Sequence, residues 1–295
     1  DTGAGNITFN GTGGSAVNLA SGVLSQSMTI LATDGDIEFT GIATDVTGNQ
    51  HYGLHFLNNQ IQSTNGNIML TGTSGSADYS GINIFNQNGP FLAGGDITAT
   101  GNVGEINTPD GIPPSAVFDG ANTNINGTLN PGQSPGQVIV NGNFNAGSGD
   151  TLLFEFDDYT TPGTDYDQIV VNGMVDITDA TLALDNISGN PEDSCETAIL
   201  IDNDGADAIT GTFAGLPEGA SIASGGITGK VTYVGGDGND FALILDDDPP
   251  LIACPADVMA DTDAGQCSAV VTYTDAIAID NCGVASVVQT SPDPT

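Results

Sequence analysis

Tryptophan and arginine are absent from this chain, Lys230 is its only lysine, and Glu occurs just six times against 31 Asp. The long side chains that favour helices are therefore almost missing, which argues against an α-rich fold. One lysine against 37 acidic residues leaves a net charge of −36. Nucleic acid is excluded as a partner, because its phosphates require clustered Lys and Arg, and so are anionic membranes. No apolar run approaches the roughly 18 residues of a membrane span, so no membrane insertion is expected in this segment. Asp1-Thr2-Gly3 lacks the charged and apolar regions of a secretion signal. Either the signal has been removed or the chain is an internal piece.

Apolar residues are 38% of the chain and fall in short Ile, Val, Leu and Phe runs separated by Gly, Asn and Asp. That is the pattern of strands and turns, not of a disordered polyanion. The runs repeat. Gly5-Asn6-Ile7-Thr8-Phe9-Asn10-Gly11 returns as Gly35-Asp36-Ile37-Glu38-Phe39-Thr40-Gly41, as Gly66-Asn67-Ile68-Met69-Leu70-Thr71-Gly72 and as Gly95-Asp96-Ile97-Thr98-Ala99-Thr100-Gly101. The isoleucines are 30, 31 and 29 residues apart, and Asn124-Ile125-Asn126-Gly127 follows 28 residues after the last. Alternation places Ile7 with Phe9, Ile37 with Phe39, Ile68 with Leu70 and Ile97 with Ala99 on an inner face.

One such coil cannot bury its apolar side chains alone and needs neighbours stacked at the strand spacing of about 4.8 Å. The fold class is therefore all-β: a parallel β-helix with coils of about thirty residues. Residues 1–128 form its repeat coils, with further strands at Tyr52-Gly53-Leu54-His55-Phe56 and Ser80-Gly81-Ile82-Asn83-Ile84-Phe85. Asn6, Asp36, Asn67 and Asp96 align at a corner, where Asn or Asp can bond along the stack and Asn67 separates two carboxylates. The prolines between Glu105 and Pro135 alter the corners. The repeat then resumes as Gln137-Val138-Ile139-Val140-Asn141-Gly142 and Gln168-Ile169-Val170-Val171-Asn172-Gly173.

Residues 129–245 form a terminal β-rich region. Its segments Pro131-Gly132-Gln133-Ser134-Pro135-Gly136, Tyr166-Asp167-Gln168-Ile169-Val170-Val171-Asn172-Gly173 and Gly211-Thr212-Phe213-Ala214-Gly215-Leu216-Pro217-Glu218-Gly219 resemble the ends of β-helical passengers in bacterial autotransporter-like and filamentous-haemagglutinin-like surface proteins. The resemblance implies a secreted rod with no catalytic residues. Asp246-Asp247-Asp248-Pro249-Pro250 reads as a linker. From 251 to 295, Cys254-Pro255-Ala256-Asp257, Asp263-Ala264-Gly265-Gln266-Cys267, Val270-Val271-Thr272-Tyr273 and Asp280-Asn281-Cys282-Gly283 resemble a hyalin-repeat (HYR) module. That family implies a partial immunoglobulin-like β-sandwich, extracellular or cell-surface location and adhesion. Its odd number of cysteines leaves one thiol whose partner is either Cys195 or a residue beyond this sequence, the latter being favoured.

His51 and His55, the only histidines, read as two side chains on an outer strand face, since a metal or base site needs further converging ligands. Polysaccharide-active enzymes also use β-helices, but the Arg and the Trp platforms such sites employ are missing here. Calcium (Ca2+) is the favoured cofactor chemistry. Gly235-Gly236-Asp237-Gly238-Asn239-Asp240 fits a calcium-binding nonapeptide pattern, and Asp202-Asn203-Asp204-Gly205-Ala206-Asp207 alternates oxygen side chains around a Gly. Asp202, Asp204, Asp207, Asp237 and Asp240 are the candidate ligands, although plain polar β-turns are the favoured reading of both segments. Function is expected to be structural or adhesive and non-enzymatic, within a long bacterial surface adhesin. A self-assembling filament or surface-layer subunit is the alternative. Homotypic copies or a surface or glycan receptor are the expected partners.

Overall fold

The structure is a computed structural model that describes the chain except residues 1–4, 14–19, 45–50, 58, 75–80, 86–90, 108–115, 132–134, 188–194, 205, 246–249, 281, 283, 285 and 289–295. The linker aspartates Asp246, Asp247 and Asp248 lie outside the described residues, as do Pro109, Pro113 and Pro114.

Three parallel faces wind into a solenoid. The first face carries β1 (Ile7–Gly13), β4 (Ile37–Ala43), β7 (Ile68–Ser74), β10 (Ile97–Asn107), β12 (Asn122–Leu129), β14 (Asn143–Asn145) and β17 (Val175–Asp176), each paired with the next. The second carries β2 (Ala20–Gln26), β5 (His51–Leu57) and β8 (Ile82–Phe85), continued by β15 (Thr151–Phe156) and β18 (Thr181–Asn186). The third carries β3 (Thr29–Ala32), β6 (Gln60–Ser63), β9 (Phe91–Ala93), β11 (Ala116–Asp119), β13 (Gln137–Val140), β16 (Gln168–Val171) and β19 (Thr197–Asn203). All pairings along these faces are parallel.

Alternation buries the expected side chains. Ile37, Phe39, Ile68, Leu70, Ile97 and Ala99 are fully enclosed, and Ile7 and Phe9 are half-buried on the first coil. Rings continue the contact across coils and faces: Phe9 stacks on Phe39 at 4.7 Å, Phe39 meets Phe56 edge-on at 5.0 Å, and Phe56 meets Phe91 at 5.5 Å. Each enclosed ring contributes on the order of 1.5–3 kcal/mol through burial.

The corner ladder is longer than expected. Asn6 Oδ1 accepts from the Asp36 N–H, Asp36 Oδ1 accepts from both nitrogens of Asn67, and Asn67 Oδ1 accepts from the Asp96 N–H, all at 2.8–3.1 Å. Asn122 Nδ2 donates to Asp96 Oδ1 at 2.7 Å, Asn143 Nδ2 donates to Asn122 Oδ1 at 2.9 Å, and Asn143 Oδ1 accepts from the Met174 N–H at 3.0 Å. The steps are 30, 31, 29, 26, 21 and 31 residues, so the coil contracts in the middle. This corrects the interval of 28: Ile97 pairs with Thr123, and Ile125 pairs with Ala99. Alignment follows the trailing glycines, Gly101 opposite Gly127, both at positive φ (118° and 137°). A Cβ on Gly127 would lie 2.4 Å from the Gly101 carbonyl oxygen, so the stack has room for glycine alone there.

After β19 the direction changes. β20 (Ser221–Ser224), β21 (Ile227–Gly235) and β22 (Asp240–Ile244) are antiparallel, in the order β20-β21-β22-β19. They form a cap whose core is Phe213, Tyr233 and Phe241, with Phe213 and Phe241 rings 4.8 Å apart. The Tyr233 hydroxyl accepts from the Phe213 N–H and donates to the Leu216 carbonyl, which pins the Gly211–Gly219 segment expected from sequence beneath β21. In the last segment β23 (Leu251–Ala253) pairs antiparallel with β24 (Ile277–Ile279). Both strands are largely exposed, since a two-stranded ribbon has no second layer to bury against.

Asn67 is the test of the ladder. Asn67→Ala strands the Asp96 N–H and should cost about 1–3 kcal/mol. Asn67→Asp places three carboxylates in consecutive coils; it should be at least as damaging near neutral pH and largely recover in acid, where the carboxyls are protonated. Thr71→Ala, on the outer side of β7 in the same coil, should stay within about 0.5 kcal/mol. Urea unfolding of the three variants distinguishes these outcomes; an Asn67→Asp protein as stable as the parent at neutral pH would remove the ladder from the account.

Candidate functional surfaces

The outer side of the first face is a lattice of short polar side chains. One row runs Asn10, Thr40, Thr71, Thr100, Asn126 in register, flanked by Thr8, Glu38, Met69, Thr98, Asn124 and Asn145. A third row, Thr12, Ile42, Thr73, resumes further along as Thr128, Thr151 and Thr181. Rows lie about 6.7 Å apart along the strands and their members about 4.8 Å apart across them. Amides bridge coils, Asn145 Nδ2 to Asn124 Oδ1 at 2.9 Å and Asn126 Nδ2 to Thr100 Oγ1 at 3.4 Å. Glu38 is the one charged residue among those named, although the chain carries 37 acids. Asp176 of β17 continues the Glu38 row beside Asn145, and Asp36 and Asp96 stand at the corner, so the face presents mostly hydroxyls and amides with a few carboxylates, suited to hydrogen bonding a neutral surface.

His55 is not exposed as expected. His51 lies in β5, but its side chain is outside the described residues. His55 is buried, with its ring 4.8 Å from the Tyr52 ring and its register partner Asn83 also buried. Burial pushes its pKa down to about 4, so it is neutral at physiological pH, and Nδ1 has no hydrogen-bond partner among the described residues.

The candidate calcium ligands come together more closely than their spacing suggests. Asp202 is next to last in β19, with Asp204 and Asp207 exposed just after the strand; Asp237 is exposed in the turn before β22, and Asp240 is buried at the start of β22. The loop and the turn touch. Asp240 Oδ1 accepts from the Asn203 N–H at 2.8 Å, and Asn239 Nδ2 donates to the carbonyls of Asn203 and Asp207 at 3.0 and 3.1 Å. Burial pushes the Asp202 carboxyl above its ordinary range, and the charges of Asp240, Asp237 and Asp204 push it the same way. Among the described residues, however, no three His, Cys, Asp or Glu side chains converge as a ready metal centre.

Sequence reasoning missed Asp167. Its carboxyl is fully enclosed and accepts from the Gly136 N–H at 2.6 Å and the Glu155 N–H at 2.8 Å, tying the start of β13 to β15 and β16. Burial raises its pKa to about 8, against the lowering effect of those two bonds and with the Glu155 charge adding to the rise. Only its place in a Tyr-Asp-Gln-Ile-Val-Val strand entry hinted at a special role.

Cys195 and Cys282 form a disulfide, which corrects the favoured reading that the odd cysteine pairs beyond this sequence. Cys254 and Cys267 are free and exposed. With these positions in place, the cysteine-bearing segment can be compared with known families. Residues 245–295 match the HYR domain. No curated protein and no solved structure matches the chain. The HYR segment lines an open apolar groove with Ile252, Pro255, Val258, Val271, Tyr273 and Val287. Among the described residues no helix is long and apolar enough to cross a membrane.

A raised acid holds its proton in the folded state over a range where the unfolded chain has lost it. Asp167 therefore contributes stability that is present below about pH 4 and lost as the pH rises through about 8. Asp167→Asn cannot offer acceptors to both N–H groups and should lower stability in acid by about 1–3 kcal/mol, while flattening the fall between those limits. Denaturant melts across that range would show it; an unchanged pH slope in the variant would contradict the assignment.

Proposed function

We propose that this chain is a non-enzymatic rod within a long bacterial cell-surface adhesin, presenting the Thr- and Asn-rich lattice of its first face to a surface or glycan receptor. A β-solenoid joined to a segment that matches the HYR domain fits a structural or adhesive role. The observation that carries the reading is this hydroxyl- and amide-rich, sparsely charged lattice on a chain of charge −36. Stacked coils supply length without a large globular core, and the remaining carboxylates keep the rod soluble. The resemblance of residues 129–245 to autotransporter-like and haemagglutinin-like passengers supports the bacterial surface assignment.

The cap weighs against the filament alternative, because β20, β21 and β22 cover the coil end that a following copy would need to pair with. Electron microscopy of the concentrated 295-residue chain should show separate rods; regular filaments would overturn the stalk reading. Beads coated with the chain should adhere to a neutral polysaccharide surface and lose adhesion when Thr40, Thr71 and Thr100 are all replaced by Val, which keeps the β-branched shape of Thr and stacks no charges on consecutive coils. Undiminished adhesion by that variant would reject the first face as the contact.

A further inference from the structure

The junction between the loop after β19 and the turn before β22 is an acidic cluster with an unsolved balance. The charges of Asp240, Asp237 and Asp204 all act on Asp202. No side chain of the chain can neutralise them except Lys230, the single lysine, whose register partners in the cap are Ser221 and Ile244. An ion from solution is the remaining source of positive charge.

A second observation is independent of the carboxylates. Asn203 is 1% exposed, and its Oδ1 is enclosed without a hydrogen-bond partner. A buried amide oxygen left unsatisfied costs about 1–3 kcal/mol, so its retention calls for a partner. The same amide donates through Nδ2 to the Asp207 carbonyl at 2.7 Å, so the side chain reaches toward Asp207 in the loop after β19. On the other side of that loop the Asn239 amide and the Asp240 carboxylate hold the turn against it.

We propose that one calcium ion binds at this junction, with Asn203 Oδ1 and carboxylates drawn from Asp202, Asp204, Asp237 and Asp240, and locks the antiparallel cap onto the last parallel strand. Calcium accepts amide, carbonyl and carboxylate oxygens in irregular geometry, which suits a site without three preformed carboxylates; magnesium demands a near-ideal octahedron. Such a site belongs at the weak end of the calcium range, on the order of 0.1–1 mM as in extracellular modules. Its oxygens come from two segments more than thirty residues apart, Asn203 and Asp240 being 37 apart. Binding to the folded form alone raises stability with ion concentration. The site stands whether or not the rod is adhesive.

Isothermal titration calorimetry and thermal melts of the full chain, with calcium or magnesium chloride at matched ionic strength, test the proposal. One calcium per chain is expected, with magnesium at least tenfold weaker and a larger melting shift for calcium. Asp202→Asn with Asp237→Asn should weaken calcium at least tenfold, yet melt no lower than the parent in chelator, because like charges have been removed. Asp261→Asn with Asp263→Asn, exposed in the HYR segment, should leave binding intact. Equal shifts for calcium and magnesium, equal loss in the distant pair, or a junction variant that binds as tightly as the parent would each overturn the site.

Discussion

Close backbone approach at the corners is the constraint from which the rest of this structure follows. Where the first face turns into the second, a Cβ on Gly41 would sit 1.9 Å from the Gly53 carbonyl oxygen, and one on Gly72 would sit 2.2 Å from that of Gly81. Only glycine permits that contact, so the glycine columns set which residue stacks on which. In-register stacking then delivers Ile37 over Ile68 inside, Thr40 over Thr71 outside, and Asn67 over Asp36 at the corner. The core, the hydroxyl- and amide-rich outer lattice and the polar ladder are consequences of a single register.

Much of this was legible because the period is carried by three kinds of residue at once. Glycine, the Asn or Asp before isoleucine, and the alternating Ile and Phe agree through Gly101. They stop agreeing at Asn124, where the isoleucine spacing points to one register and the glycine to another. Glycine prevails there because a shifted isoleucine still finds the core, whereas a Cβ at the glycine would meet backbone. Asn122 and Asn143 were therefore missed as ladder members, their coils being shorter than the repeat.

The candidate sites were less legible. His55 alternates like an exposed residue, and its burial depends on what packs over the outside of β5, which no local pattern records. Cys195 lies 87 residues from Cys282, so no spacing rule joins them. Asp202 and Asp240 each sit in an ordinary polar turn by sequence. Their shared junction exists because β22 folds back beside β19, an antiparallel return at the end of a parallel fold.

Charge follows the same division, with ten acidic residues up to residue 130 and 27 after it. The repeat coils carry fewer charges and depend on stacking, while the terminal region carries most of the repulsion and the cap. Register is thus the central claim, and a distance across several coils measures it. With Cys254 and Cys267 exchanged for Ser, spin labels at Thr8→Cys and Asn124→Cys lie on one outer row, four parallel steps apart. Dipolar electron paramagnetic resonance should give a narrow distribution at roughly 19 Å between the labelled backbones. A broad distribution, or a mean far beyond that span, would contradict in-register stacking.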